Sequence, residues 1–131
     1  AYPSAISIVT ACVQASLMVG LPEAAINLSQ AVILLASAPK SNASYMAYNS
    51  AMNDLHNRQI DDVPAHLKDS HYSGAAKLGF GQAYKYPHAY GGYVKQQYLP
   101  DNLYREGVKY YNPTENGTEG SFKKYLEGLE K

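Results

Sequence analysis

The stretch Gly74-Ala75-Ala76-Lys77-Leu78-Gly79-Phe80-Gly81 has the glycine density of a phosphate-binding loop, in which tight turns aim backbone amides at an anion. It lacks the closing Gly-Lys-Ser/Thr and no hydrophobic strand leads into it, so it reads as loop punctuation. His56, His66, His71 and His88 show no i, i+4 pairing and no cysteine ligands accompany them, which argues against a metal site. Serine, histidine and aspartate are all present, but no strained nucleophile turn holds any serine ready for triad chemistry. Cys12 has no partner in the chain, so neither a disulfide framework nor a thiolate cluster can form within it, and a small buried side chain is the expectation. No catalytic residue, cofactor site or metal site is therefore assigned.

Tyr84-Lys85-Tyr86-Pro87-His88 is more informative. Proline stiffens the backbone while rings alternate with cations, a combination able to fill a subunit pocket or to stack on bases. Packing is the favoured reading: Tyr86 is expected to be mostly buried, so Tyr86→Ala should cost roughly 3 to 5 kcal/mol and Lys85→Ala much less. Lys95 and Tyr98 follow closely in sequence and join Tyr84, Lys85, Tyr86 and His88 as candidate interface or DNA contacts. Lys40 is the remaining candidate; placed between two helices in Ala38-Pro39-Lys40-Ser41-Asn42, it is suited to neutralise carbonyls at the preceding helix end. A nucleic-acid docking alternative would use Lys40, Lys77, Lys85 and Lys95 with the neighbouring tyrosines.

The elements that must position these residues are helical. Ile6, Val9, Val13 and Leu17 alternate with Ile8, Cys12, Ala15 and Val19, so a helix over 4–19 is apolar nearly all round and predicted to be buried. Gly20 ends it and Pro22 suits the first position of a second helix to Ser37, with Leu28, Val32 and Leu35 as its core stripe. Ser41 or Asn42 can cap a third helix to about Arg58 that carries an alanine face at Ala43, Ala47 and Ala51. Pro64 starts a short turn through Leu67. Residues 72–113 then form an irregular glycine- and proline-rich arm, dense in tyrosine from Tyr72 to Tyr111 and so expected to pack onto something. A final amphipathic helix spans about 118–129, with Phe122, Tyr125, Leu126 and Leu129 on one face. The expected fold is all-α: a helical bundle with a long irregular arm and a C-terminal helix, in a single domain over 1–131.

Eleven basic and eleven acidic side chains cancel, so no overall field draws the chain to nucleic acid or to an anionic membrane. Charged residues make up 17%, against about 25% in an average soluble domain, which suggests that part of the surface is covered by a subunit or by another domain. Residues 1–39 carry one charged side chain, Glu23, yet Gln14, Asn27 and Gln30 interrupt both apolar runs, leaving neither long enough to span a membrane.

Taken in order, Val19-Gly20-Leu21-Pro22-Glu23-Ala24, Ala38-Pro39-Lys40-Ser41-Asn42, Val63-Pro64-Ala65-His66-Leu67, Tyr84-Lys85-Tyr86-Pro87-His88 and Gln97-Tyr98-Leu99-Pro100 resemble the RarA/MgsA group of replication-associated AAA+ ATPases. The human Werner-helicase-interacting ATPase is in the same group, and Tyr110-Tyr111-Asn112-Pro113 followed by Gly117 and Glu119 resembles its C-terminal pattern. Ala89 stands where the family usually has an acid, which puts any salt bridge made by that acid in doubt. The resemblance implies a C-terminal domain that assembles the parent ATPase into a homotetramer at stalled or damaged replication forks. ATP and magnesium would be held by an upstream AAA+ module, so this polypeptide should not hydrolyse ATP. The implied partners are further copies of the chain, the AAA+ module, and DNA or a single-strand-binding protein through the parent, with no membrane. The implied location is the bacterial cytoplasm, associated with the nucleoid.

Overall fold

The computed structural model describes residues 1–71 and 73–130. Tyr72, counted above in the tyrosine-rich arm, lies outside the described residues. Among these residues the chain is all-helical, with α1 (Ala5–Val19), α2 (Ala24–Ser37), α3 (Ala43–Asn57), α4 (Asp101–Arg105) and α5 (Glu119–Leu129), and no strand. It divides into two compact units, Ala1–Ala43 with Pro113–Leu126 and Ser44–Asn112 with the residues from Glu127 on.

In the first unit α1 and α2 form a hairpin. Gly20 leaves α1 at φ 80°, a conformation that costs glycine little, and its N–H donates to the Ser16 carbonyl at 2.9 Å. α2 starts at Ala24 rather than Pro22, because the Ala24 amide bonds back to the Gly20 carbonyl at 2.8 Å and residues 21–23 are used in the turn. The seam is made of small side chains: Cys12 and Ser16 on α1 and Ala24 and Ala31 on α2 are the buried residues of the two helices. Ser16 Oγ donates to the Cys12 carbonyl at 2.8 Å and lies 3.4 Å from the Ala24 carbonyl.

This corrects the expectation of a buried α1 and of a Leu28/Val32/Leu35 core stripe. Close approach of two backbones selects small residues for the contact, which displaces the large branched ones to the outer faces. Leu17 is 81% and Met18 86% exposed, and Ile6, Ile26, Leu28, Val32, Ile33 and Leu35 are exposed as well.

The end of this unit is strapped to its beginning. Thr118 N–H donates to the Ala1 carbonyl at 2.9 Å, and Asn116 Nδ2 donates to the Lys40 carbonyl at 2.8 Å. Glu119, in the first turn of α5 where the helix dipole favours an anion, is buried and accepts a 2.6 Å hydrogen bond from Thr114 Oγ1.

In the second unit the described part of the arm, 73–112, holds more regular structure than its glycines and prolines suggest. There are 3-10 turns at Ala75–Leu78 and Pro87–Tyr90, and Pro100 with Asp101 starts α4, which ends at Arg105 and is followed by Gly107 at φ 67°. Ala75, Val94 and Leu103 are its buried apolar residues. Two polar clasps close its base. Asn102 N–H donates to Asp61 Oδ2 at 3.0 Å and Asn102 Oδ1 accepts from the Asp61 amide at 3.2 Å. Arg58 Nη2 grips both carboxylate oxygens of Glu106, at 2.6 and 2.8 Å.

Beside that pair Tyr110 donates its hydroxyl proton to Asp54 at 2.9 Å. Burial first, and then the hydrogen bond to Asp54, push the Tyr110 phenol above its ordinary pKa. A raised folded-state value means the neutral phenol contributes stability that is complete below the ordinary tyrosine range and lost as pH rises through the folded value. Tyr110→Phe should therefore cost about 1 kcal/mol near neutral pH and should flatten the alkaline limb of stability against pH. Urea melts across that range test both.

Candidate functional site

Lys40 belongs to the first unit. Its ammonium donates to the carbonyls of Leu35 at 2.5 Å, Ala36 at 3.4 Å and Ala38 at 2.5 Å, the helix-end role that its position predicts. Next to it Ser41 Oγ accepts the Ala43 amide at 3.1 Å at the start of α3. A polar cleft of about 390 Å³ is lined by Lys40, Ser41, Asn42, Thr114 and Asn116, but the Lys40 charge is already committed to the end of α2.

The other candidates, Tyr84, Lys85, Tyr86, His88, Lys95 and Tyr98, lie in the second unit and all are exposed. What joins them is Gln96. Its Oε1 accepts the Lys85 amide at 3.1 Å, while its Nε2 donates to the Lys85 carbonyl at 3.0 Å and to the Tyr98 hydroxyl at 3.2 Å. The Gln96 side chain thus pairs with the Lys85 peptide as a neighbouring strand would, and both amide hydrogens are used. Tyr98 passes the connection on by donating to the carbonyl of Val94, which is buried. Gln96 thereby ties the Lys85 backbone to the segment that carries Lys95. Lys77 stands exposed on the turn Ala75–Leu78. Sequence reading passed over Gln96, and the available signal was an amide pair, Gln96-Gln97, set between Lys95 and Tyr98 inside a tyrosine-rich loop.

Tyr86 is 60% exposed, contrary to the expectation of burial. Pro87 opens a 3-10 turn directly after it, so the Tyr86 ring meets His88 instead of a hydrophobic body; the two ring centroids are 5.0 Å apart with planes tilted by 49°. The predicted loss of roughly 3 to 5 kcal/mol accordingly falls to that of a surface substitution. Tyr86→Ala should change stability by no more than about 0.5 kcal/mol, which a thermal melt measures directly. Ala89, in the same turn, is exposed.

The glycine loop is built from turns closed on themselves and on the neighbouring Ala65. Lys77 N–H bonds to the Gly74 carbonyl at 3.0 Å, Phe80 N–H to Ala75 at 3.1 Å and Gly81 N–H to Ala65 at 2.9 Å, so these three amides are already occupied by carbonyls of the chain. Beside it a cleft of about 300 Å³ is lined by His66, Lys68, Asp69, Ser70, His71 and Tyr84 among others. Its charges are satisfied locally. Lys68 pairs with Asp62 and lies 4.7 Å over the Phe80 ring, and the backbone amide and ring of His71 hold the Asp69 carboxyl below its usual range. His66 Nε2 is 2.8 Å from the Gln97 carbonyl. Among the described residues no three His, Cys, Asp or Glu side chains gather as a metal site.

The comparisons with known proteins point one way. An AAA domain-containing protein of Mycobacterium tuberculosis is 48% identical over 130 residues, covering 98% of this chain and 28% of that protein. Replication-associated recombination protein A of Bacillus subtilis is 46% identical over 133 residues, covering 100% of this chain and 31% of the relative. The Escherichia coli protein of the same name is 35% identical over 133 residues, covering 98% and 29%. The chain thus spans less than a third of the length of these relatives. The family described as MgsA AAA+ ATPase C terminal matches residues 1–130, and with that match across nearly its whole length the chain belongs to this C-terminal family of AAA+ ATPases.

Proposed function

We propose that this chain is the oligomerisation domain of a AAA+ ATPase acting in replication, recombination and repair at stalled forks, assembling it as a homotetramer. The replication and recombination part rests on the names of the B. subtilis and E. coli relatives. The observation that carries the assembly part is the outer surface of α1 and α2. Large apolar side chains from Ile6 to Leu35 stand exposed there, on a hairpin whose only charged side chain is Glu23. Contiguous apolar surface of this kind marks an association site, and the lack of charge suits another copy of the same neutral face better than a nucleic acid or a charged peptide. ATP and magnesium belong to an upstream AAA+ module, so the chain neither binds nor hydrolyses ATP by itself. The proposed setting is the bacterial cytoplasm, near the nucleoid; no helix among the described residues is long and apolar enough to cross a membrane. Light scattering tests assembly: a mass of several protomers at micromolar concentration is expected, and a species of 14.3 kDa alone overturns it.

A second reading, a docking module for DNA or a replication protein, is favoured by one observation. The Tyr84–His88 segment, Lys95 and Tyr98 form an exposed aromatic and basic group that the fold has fixed but not covered.

A further inference from the structure

We propose that Tyr86 and His88 are a stacking platform for the unpaired bases of single-stranded nucleic acid, with Lys85 and Lys95 taking the flanking phosphates. This deepens the docking reading and rests on it.

Base stacking requires an aromatic face that is open to solvent and already oriented, since an ordered ring loses little entropy on binding. Tyr86 meets both conditions: it is 60% exposed, and its ring is set against His88 at 5.0 Å with a 49° tilt. The backbone under the pair is also fixed. Pro87 begins the turn, Gly91 ends it at φ 76°, and the Gly92 amide closes it onto the Pro87 carbonyl at 2.9 Å. On the other side the Gln96 amide holds the Lys85 peptide by two hydrogen bonds.

The charges fit the same ligand. Among the described residues no carboxylate lies within ion-pair distance of Lys85 or Lys95. Glu130 is close enough for Lys95 to help hold its carboxyl below the usual range, but its main partner is Lys109. Lys85 adjoins Tyr86 in the chain and Lys95 adjoins Gln96, whose amide holds the Lys85 backbone, so cations and rings alternate over one short surface as phosphate and base do along a strand. A duplex is excluded from this mode because its bases are stacked on one another and show only their edges. With zero net charge in the chain, no long-range field adds to the affinity, so binding is local, modest and dependent on salt.

The test is fluorescence anisotropy with a short labelled oligothymidylate, from low to physiological salt, with a thermal melt of every variant. Tyr86→Ala should weaken binding roughly fivefold to a hundredfold, the usual worth of one stacked base, with an unchanged melt, and Tyr86→Phe should restore it. Lys85→Ala combined with Lys95→Ala should make log affinity against log salt shallower by roughly 1.4, two phosphate contacts at ~0.7 each. Tyr104→Ala, which removes another exposed ring, on α4, should have no effect. If the strand binds and all these variants bind as the parent chain does, the platform is wrong while nucleic-acid docking stands. Equal or tighter binding to a blunt duplex also overturns the platform. If no anisotropy change appears at any salt, both the platform and nucleic-acid docking fall.

Discussion

Replacing Leu17 and Met18 together by lysine is expected to reduce the solution mass of the chain to that of a single 14.3 kDa protomer that still folds and melts cooperatively, having lost only the stabilisation that assembly adds. Both side chains are more than four-fifths exposed, so neither contributes packing to the hairpin seam of Cys12, Ser16, Ala24 and Ala31 that holds α1 to α2. Lysine is the right replacement because both positions fall in the last turn of α1, where a cation favours the helix dipole. Between protomers the effect is large. Burying a leucine or methionine is worth about 1.5 kcal/mol or more, and in a two-fold contact each position counts twice. Losing four such contributions shifts the dissociation constant by roughly four orders of magnitude, and the new like charges add repulsion. Light scattering with a parallel thermal melt decides it. An unchanged mass in a folded variant removes this face from the assembly.

The second large effect is expected from Gly117→Ala. Gly117 sits at φ 51°, and a Cβ there would lie 2.6 Å from the Ala1 carbonyl oxygen and 3.1 and 3.2 Å from the Pro39 side chain. The nearest atom is backbone, and the same carbonyl accepts the Thr118 amide, so it cannot move aside without giving up the strap between the two ends of the first unit. Left-handed strain and the clash together should cost about 2 to 4 kcal/mol, or roughly 10 °C in melting temperature. Gly128→Ala is the matched comparison. That glycine lies in α5 with open space where a methyl group would project, so the change should stabilise by about 0.5 to 1 kcal/mol. If both variants melt like the parent chain, the strap is not a structural contact.

The helices were legible in the sequence to within two residues at most ends, because Gly20, Pro39 and Ser41 each impose a local backbone constraint that needs no tertiary context. The direction in which those helices face was not legible. Leu28, Val32 and Leu35 have the spacing of a core stripe, but periodicity reports only that a face is apolar and not what covers it. The small residues Ser16, Ala24 and Ala31 won the contact because they allow closer backbones. Tyr86 failed for a related reason: proline after tyrosine predicts a stiff segment correctly and says nothing about which way the ring points. The residue that assembles the candidate site, Gln96, acts through its amide on a backbone segment eleven residues away; the Gln96-Gln97 pair marks a polar spot in the tyrosine-rich loop, but spacing does not say which backbone segment it will bind. Family membership was the most legible property, because it depends on the order of many short matches and not on any one side chain's surroundings.

The clasps between Arg58 and Glu106 and between Asp61 and Asn102, 48 and 41 residues apart in sequence, also bear on how this chain tolerates change in length. Once the base of such a loop is held, the entropy of closing it grows only with the logarithm of its length, about 0.6 kcal/mol for each doubling. Inserting several residues at the exposed, glycine-flanked turn near Ser73 should therefore leave α3 and α4 joined as before. The segment between the clasps is then a site where lineages can lengthen, shorten or re-dress the presented surface while the scaffold beneath it stays the same.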